Sequence, residues 1–262
     1  MNRILVSSAF DDIRARDIRF LQEAAQLGAV HVHLWSDETV CARTGKAPKF
    51  PYAERLYFVQ ALRCVSRVHA SLAGLGFTPD LHACLATDEN PEMDAFCEKN
   101  GVSVRRIPDT QVRLFPAPGA QAPTGRKKVV VTGCYDWFHT GHIAFFEEVS
   151  ALGDLHVCLG NDANIRLLKG EGHPLFAAPE RLFIAGCIRY VTQALVSSGM
   201  GWMDAEHEIL TVIQPDIYAV NEDGDKPQKA EFCRKHGIQY TVLKRVPKQG
   251  LARRSSSDLR GF

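Results

Sequence analysis

Two stretches of this chain lie over one another without a gap. ILVSSAFDDIRARDIRFLQEAAQLGAVHVHLWSDE, from Ile4 to Glu38, matches VVVTGCYDWFHTGHIAFFEEVSALGDLHVCLGNDA, from Val129 to Ala163. The register persists where Ala53 to Val68 answers Pro179 to Ala194, and where Pro79 to Ile107 answers Pro215 to Leu243. A duplication of this length means that the chain holds two copies of one structural unit.

Between the copies, Arg113 to Lys128 reads RLFPAPGAQAPTGRKK, and its prolines and glycines deny it regular structure. The expected organisation is a first domain over residues 1–112, a linker over 113–126 and a second domain over 127–262. With 262 residues, 45% of them apolar, the chain can bury two cores of ordinary size.

Each copy alternates strand and helix. In the second, Val129 to Thr132 is a β-rich run, Ile143 to Leu152 has helical spacing ended by Gly153, and Leu155 to Leu159 is the next strand. Glu180 to Tyr190 reads as a further helix. Asp216 to Val220 and Gln239 to Leu243 read as strands around a helix from Lys229 to His236 that Gly237 closes. This alternation predicts an α/β fold, a parallel doubly wound sheet with right-handed crossovers in each copy. Ligands in such sheets bind beyond the carboxyl ends of the strands.

Charge and cysteine usage narrow the partners. A net charge of +1 with both signs interspersed provides no field to attract nucleic acid or an anionic membrane, so a small-molecule partner is expected. The eight cysteines are scattered, with no C-x-x-C pair and no zinc-like spacing, and are expected to be reduced and mostly buried in a cytoplasmic protein. MNRILVSSAFDD reads as a strand rather than a signal peptide, and no stretch approaches the roughly 18 apolar residues of a membrane span.

The first carboxyl end of the second copy carries TGCYDWFHTGHIAFF, from Thr132 to Phe146. His139 and His142 are three apart, so on the first turn of a helix they project from neighbouring positions beside free backbone N–H groups and the positive end of the dipole. That arrangement suits a triphosphate. Gly133 and Gly141 are expected to allow close approach of backbone or ligand. Phosphoryl transfer of this kind relies on positioning and on neutralising charge, which imidazole N–H groups, a lysine and Mg²⁺ supply.

With GCYDWFHTGH, Lys169–Gly170, ERLFIAGCIRYV (Glu180 to Val191) and RSSSDLR (Arg254 to Arg260), the second copy resembles the cytidylyltransferase-like nucleotidyltransferase family. The likeness is strongest to glycerol-3-phosphate and ethanolamine-phosphate cytidylyltransferases, with a similar likeness to the adenylyltransferase domain that makes ADP-heptose. It covers nearly all of Lys127 to Arg260, and a degenerate version covers Ile4 to Ile107. The resemblance implies two tandem Rossmann-like nucleotidyltransferase domains that form an intramolecular pseudo-dimer, either as a monomer or within a homo-oligomer.

It also implies that His139 and His142 stabilise the transition state and that Lys169 follows the α-phosphate. Gly133, Cys134, Tyr135, Asp136, Gly141, Arg189 and Arg254 would contact the nucleotide, while Ser255, Ser256 and Ser257 would grip its β- and γ-phosphates. Arg181 would organise the site or the subunit contact. Weaker candidates are Trp137, Asn221 and Asp223, with Trp202, for the acceptor.

The first copy places Arg14, Arg16 and Asp17 where the second has His139, Gly141 and His142. It is expected to keep the fold and to be silent. The resulting expectation is a transferase that joins CMP from CTP to a phosphorylated alcohol, polyol or sugar, with Mg²⁺ carried by the nucleotide. The alternatives are an adenylyltransferase acting on a sugar phosphate and a nucleotide-binding subunit without turnover.

Overall fold

A computed structural model of the chain describes residues 2–86, 91–244 and 246–259. The chain divides into two compact units, Met1–Phe115 and Pro116–Phe262. The division falls inside the proline- and glycine-rich stretch.

The first unit runs β1 (Arg3–Ser8), α1 (Ala15–Ala25), β2 (Ala29–Leu34), α2 (Asp37–Thr44), α3 (Tyr52–Ala61), β3 (Val65–His69), β4 (Leu81–Ala86), α4 (Pro91–Lys99) and β5 (Ser103–Ile107). Its strands are parallel, in the order β3-β2-β1-β4-β5. Leu5, Leu81, Ala83, Met93 and Cys97 pack together in one core cluster.

The second unit repeats this plan. It runs β6 (Lys128–Gly133), α5 (Thr140–Ser150), β7 (Asp154–Leu159), α6 (Asp162–Lys169), α7 (Ala178–Gly186), β8 (Val191–Val196), a π-helix at Glu208–Ile213, β9 (Ile217–Asn221), α8 (Pro227–His236), β10 (Gln239–Leu243) and a short α9 (Ser256–Leu259). The parallel order β10-β9-β6-β7-β8 is the first unit's order read from the other edge. All six residues of β7 are buried, as in a strand covered on both faces. Val130, Cys158, Ile209, Tyr218 and Phe232 cluster on one side of the sheet.

The expected strands and helices are present with one substantial correction. The helix expected from Glu180 to Tyr190 stops at Gly186, and Val191 already belongs to β8, so Arg189–Tyr190–Val191 forms the turn into a strand. Gly186 is needed where it stands, because a Cβ there would lie 2.5 Å from Cγ of Pro118. The segment containing Pro118 then continues beside the edge strand β8, where the Gln121 N–H donates to Thr192 O at 2.7 Å.

The turns after β1 and β6 match in detail. Phe10 and Tyr135 both adopt left-handed backbone, with φ of 44° and 50°. Asp11 accepts the backbone N–H groups of Lys49 and Phe50, and Asp136 accepts those of Leu175 and Phe176. Five of the eight cysteines are buried and Cys41 is exposed. Among the described residues no helix is long and apolar enough to cross a membrane.

Candidate active site

The histidine motif sits at the carboxyl end of β6, the strand flanked by β9 and β7 in the middle of its sheet. His139 is the N-cap of α5, and its Nδ1 accepts the Gly141 N–H at 3.0 Å. The His139 N–H in turn points to Nδ1 of His142 at 3.4 Å. With both Nδ1 atoms acting as acceptors, each neutral imidazole carries its proton on Nε2. The rings stack with centroids 3.9 Å apart and planes 26° apart, so the two donors are held side by side.

The glycines and Tyr135 support this pair. A Cβ on Gly141 would lie 2.9 Å from Cε1 of His139, and one on Gly133 would lie 2.8 Å from Cζ of Tyr135. Gly133 thus makes room for the tyrosine ring, and Gly141 for the imidazole, where the sequence led to an expectation of close approach by backbone or ligand. Tyr135 is buried, its ring meets His142 and Phe146 edge-on at 5.2 Å each, and burial pushes its phenol well above the ordinary tyrosine range.

An open cleft of about 370 Å³ lies over these carboxyl ends. Gly133, Cys134, Tyr135, His139, Gly141, His142, Lys169, Asn221 and Asp223 all line it, so the structure brings together most of the residues expected from sequence. Lys169 is the last residue of α6 and its ammonium interacts with the Cys134 thiol, whose pKa burial raises and Lys169 lowers in part. A recess of about 40 Å³ adjoins the cleft and shares Gly141, Phe145 and Asn221 with it. Lys244, Lys248, Arg253 and Arg254 give that recess a basic lining.

The C-terminal segment reaches the motif. Arg254 O lies 3.6 Å from where a Gly141 Cβ would stand, and the Ser256 hydroxyl donates to Trp137 O at 3.1 Å. Ser255 accepts the Leu259 N–H through its carbonyl at 3.2 Å. Lys248 pairs with Glu147 on α5. The Ser257 side chain lies outside the described part of the chain.

Four expected residues stand elsewhere. Trp137 is 7% exposed and packs edge-on against Phe176 at 5.9 Å, away from the cleft lining. Asp136 is buried and spends its carboxylate on the backbone at Leu175 and Phe176. Arg189 precedes β8 at its amino end, about 20 Å of strand from the carboxyl ends that carry the cleft, so it is no nucleotide contact within its own unit. Arg181 is buried, and its guanidinium donates to Phe176 O, Cys134 O, Gly160 O and Asp162 Oδ1 at 2.6 to 2.9 Å. It fixes the strand ends that form the cleft floor rather than facing the cleft.

The other wall carries Trp202, expected for the acceptor, beside residues that the sequence did not single out. Asn161, the N-cap of α6, and Asn164 within it pin the segment after β8: Asn164 exchanges two hydrogen bonds with the Gly201 backbone, and the Asn161 amide donates to Gly199 O at 2.8 Å. That segment brings half-exposed Trp202 and the Asp204 carboxylate to the cleft. Lys229, on the buried face of α8, lines the same cleft, and it and Asp204 were not among the expected residues. A lysine at an interior helical position was the signal available.

In the first unit the corresponding turn holds different chemistry. The Arg14 N–H donates to Asp17 Oδ2 at 2.8 Å, so Asp17 takes over the capping role of His142. Arg14 pairs with Asp12, and Arg16 pairs with Asp109.

A parallel Rossmann-like sheet with a histidine-capped helix at its central strand defines a nucleotidyltransferase-type unit. The Cytidylyltransferase-like family model matches residues 130–260, half of the chain, and the chain belongs to that family. Its relatives include "Bifunctional protein HldE" of Azotobacter vinelandii, 29% identical over 161 residues that make up 60% of this chain and 33% of that protein. The protein of the same name from Geobacter sulfurreducens is 41% identical over 76 residues, 28% of this chain and 16% of its own length. The chain therefore spans at most a third of these relatives. A solved structure, the lipopolysaccharide core biosynthesis protein from Thermoplasma volcanium GSS1, aligns with 48% of this chain and all of its own at 26% identity and a TM-score of 0.40.

Proposed function

We propose that the second unit transfers CMP from CTP to a phosphorylated alcohol, polyol or sugar and releases pyrophosphate. The observation that carries this reading is the stacked His139–His142 pair in the lining of a cleft that also holds Lys169 and adjoins the basic recess. An oxygen of the acceptor phosphate attacks the α-phosphorus, the new P–O bond forms, and the bond to the β-phosphate oxygen breaks. The imidazole donors and the Lys169 ammonium hold the phosphate oxygens on which charge grows.

Arg253, Arg254, Ser255 and Ser256 would hold the departing pyrophosphate. Imidazole N–H groups and ammonium fit phosphate oxygens rather than a cation, so Mg²⁺ would be carried by the triphosphate and offset its charge there. The first unit would not catalyse this reaction, because Asp17 opposes a triphosphate where His142 would donate to it.

Adenylyl transfer to a sugar phosphate is supported about as well by the bifunctional HldE relatives and by the likeness of Asn161 to Gly170 to the ADP-heptose-forming domain. The Arg189–Tyr190–Val191 tripeptide favours CTP only through its likeness to the cytidylyltransferase sequences, since Arg189 lies away from the cleft of its own unit. Pyrophosphate release measured with each of CTP, ATP, GTP and UTP decides between them. Turnover with ATP alone replaces the first reading by the second, and nucleotide binding without turnover replaces both by a non-catalytic subunit.

A further inference from the structure

Lys229 is a buried cation that the fold does not require. It is 8% exposed, yet its ammonium donates to Thr132 Oγ1 at 3.2 Å and stands 5.6 Å from the Tyr218 ring centroid. Burial pushes its pKa below the ordinary lysine value, and the Asp204 carboxylate offsets part of that push. In the first unit, the same helical position holds Met93, an apolar chain of similar length packed in the core. A methionine therefore suffices for packing. The lysine is retained only in the copy that has the histidine pair.

Asp204 is as deliberately placed. Its Oδ2 accepts the Ser197 hydroxyl at 2.6 Å, its carbonyl accepts the Gly199 N–H at 2.8 Å, and a Cβ on Gly199 would lie 2.6 Å from that carbonyl oxygen. A Cβ on Gly160 would come within 3.3 Å of Oδ2. Thr132, Asp204 and Lys229 line the same cleft as His142 and Lys169.

Resting on the nucleotidyl-transfer reading above, we propose that Lys229 and Asp204, with the Thr132 hydroxyl, bind the hydroxyl groups of the acceptor's carbon chain, so that the acceptor is a polyol or sugar phosphate and not an amino-alcohol phosphate. The chemistry is one of balance. Asp204 accepts from hydroxyls and Lys229 donates to them, and each group supplies what the other lacks. An acceptor's ammonium group would be drawn to Asp204 but repelled by Lys229. A second phosphate would be drawn to Lys229 but repelled by Asp204. An uncharged hydroxylated chain meets neither penalty.

The test compares wild type with Lys229→Met, which installs the first unit's own residue, and with Asp204→Asn. Nucleotide binding is measured by calorimetry with Mg²⁺ and CTP or ATP alone. Acceptor KM is measured with glycerol 3-phosphate, ribitol 5-phosphate, glucose 1-phosphate and phosphoethanolamine. The expected result is a nucleotide Kd within about twofold of wild type in both variants, an acceptor KM raised at least tenfold, and no preference of wild type for phosphoethanolamine.

An unchanged acceptor KM, a loss of nucleotide affinity equal to the loss in acceptor affinity, or preferred use of phosphoethanolamine would overturn the assignment. If wild type binds no nucleotide, the nucleotidyl-transfer reading fails instead. The subsite is then read by titrating the polyol phosphates alone: binding that Lys229→Met abolishes supports it, and equal or absent binding in both proteins overturns it.

Discussion

Arg55 and Arg181 occupy equivalent positions in the two units and make the same four kinds of hydrogen bond. Arg55 donates to Phe50 O, Ala9 O, Trp35 O and Asp37 Oδ1, and Arg181 to Phe176 O, Cys134 O, Gly160 O and Asp162 Oδ1. Each guanidinium ties the ends of two neighbouring strands to the helix that returns beside them. Because the first unit has this clamp without the histidine pair, the clamp serves the fold.

Substituting either arginine by alanine strands several buried carbonyl oxygens, each costing about 1–3 kcal/mol. A loss of at least about 3 kcal/mol is expected for the unit concerned, read from the urea midpoint of its unfolding transition. Arg181→Lys should recover little of it, since one ammonium cannot reproduce the planar fork. An Arg181→Ala protein as stable as wild type would show that these bonds contribute nothing net.

Gly141→Ala probes geometry without removing a functional group. The added methyl carbon would fall 2.9–3.0 Å from Cε1 and Nδ1 of His139 and force the ring aside. Displacements of about 1 Å at such a centre cost up to about 100-fold in rate. Turnover should fall at least tenfold while far-UV circular dichroism is unchanged. The matching substitution in the first unit, Arg16→Ala, should leave turnover unaltered.

The pH dependence of stability carries the signature of Lys229. Its folded pKa lies below the ordinary 10.5, so the unfolded chain binds more protons than the folded one between the two values. Stability due to this group therefore rises as pH increases through that window. Lys229→Met removes the effect and should be the more stable protein at pH 7.5. The gap from wild type should narrow as pH approaches 10.5, and a gap that widens would contradict a depressed pKa.

Much of this architecture was legible before the structure. The motif's turn and helix follow from TGCYDWFHTGH, and Gly237 closes α8 in left-handed backbone at φ 67° as a C-terminal glycine should. The strand β8 was not legible. VTQALV mixes polar and apolar residues without clean alternation, and the preceding Ala185–Gly186–Cys187–Ile188 extends the apolar helical pattern past its true end. Arg181 was expected to organise the site or the subunit contact, and periodicity does not reveal that it turns inward to meet backbone carbonyls. Asp204 and Lys229 were missed for a related reason: they meet only through tertiary structure.

The decisive measurement is pyrophosphate release with Mg²⁺, CTP or ATP and the acceptor panel, in wild type, His139→Ala and His142→Ala. Removing one preorganised donor to the transferring phosphate costs about 100- to 1,000-fold in rate. Turnover by wild type with CTP, reduced to that extent in both variants, is the predicted result. Turnover that survives both substitutions, or a wild type that binds nucleotide without releasing pyrophosphate for any acceptor, would contradict a transferase built on the histidine pair.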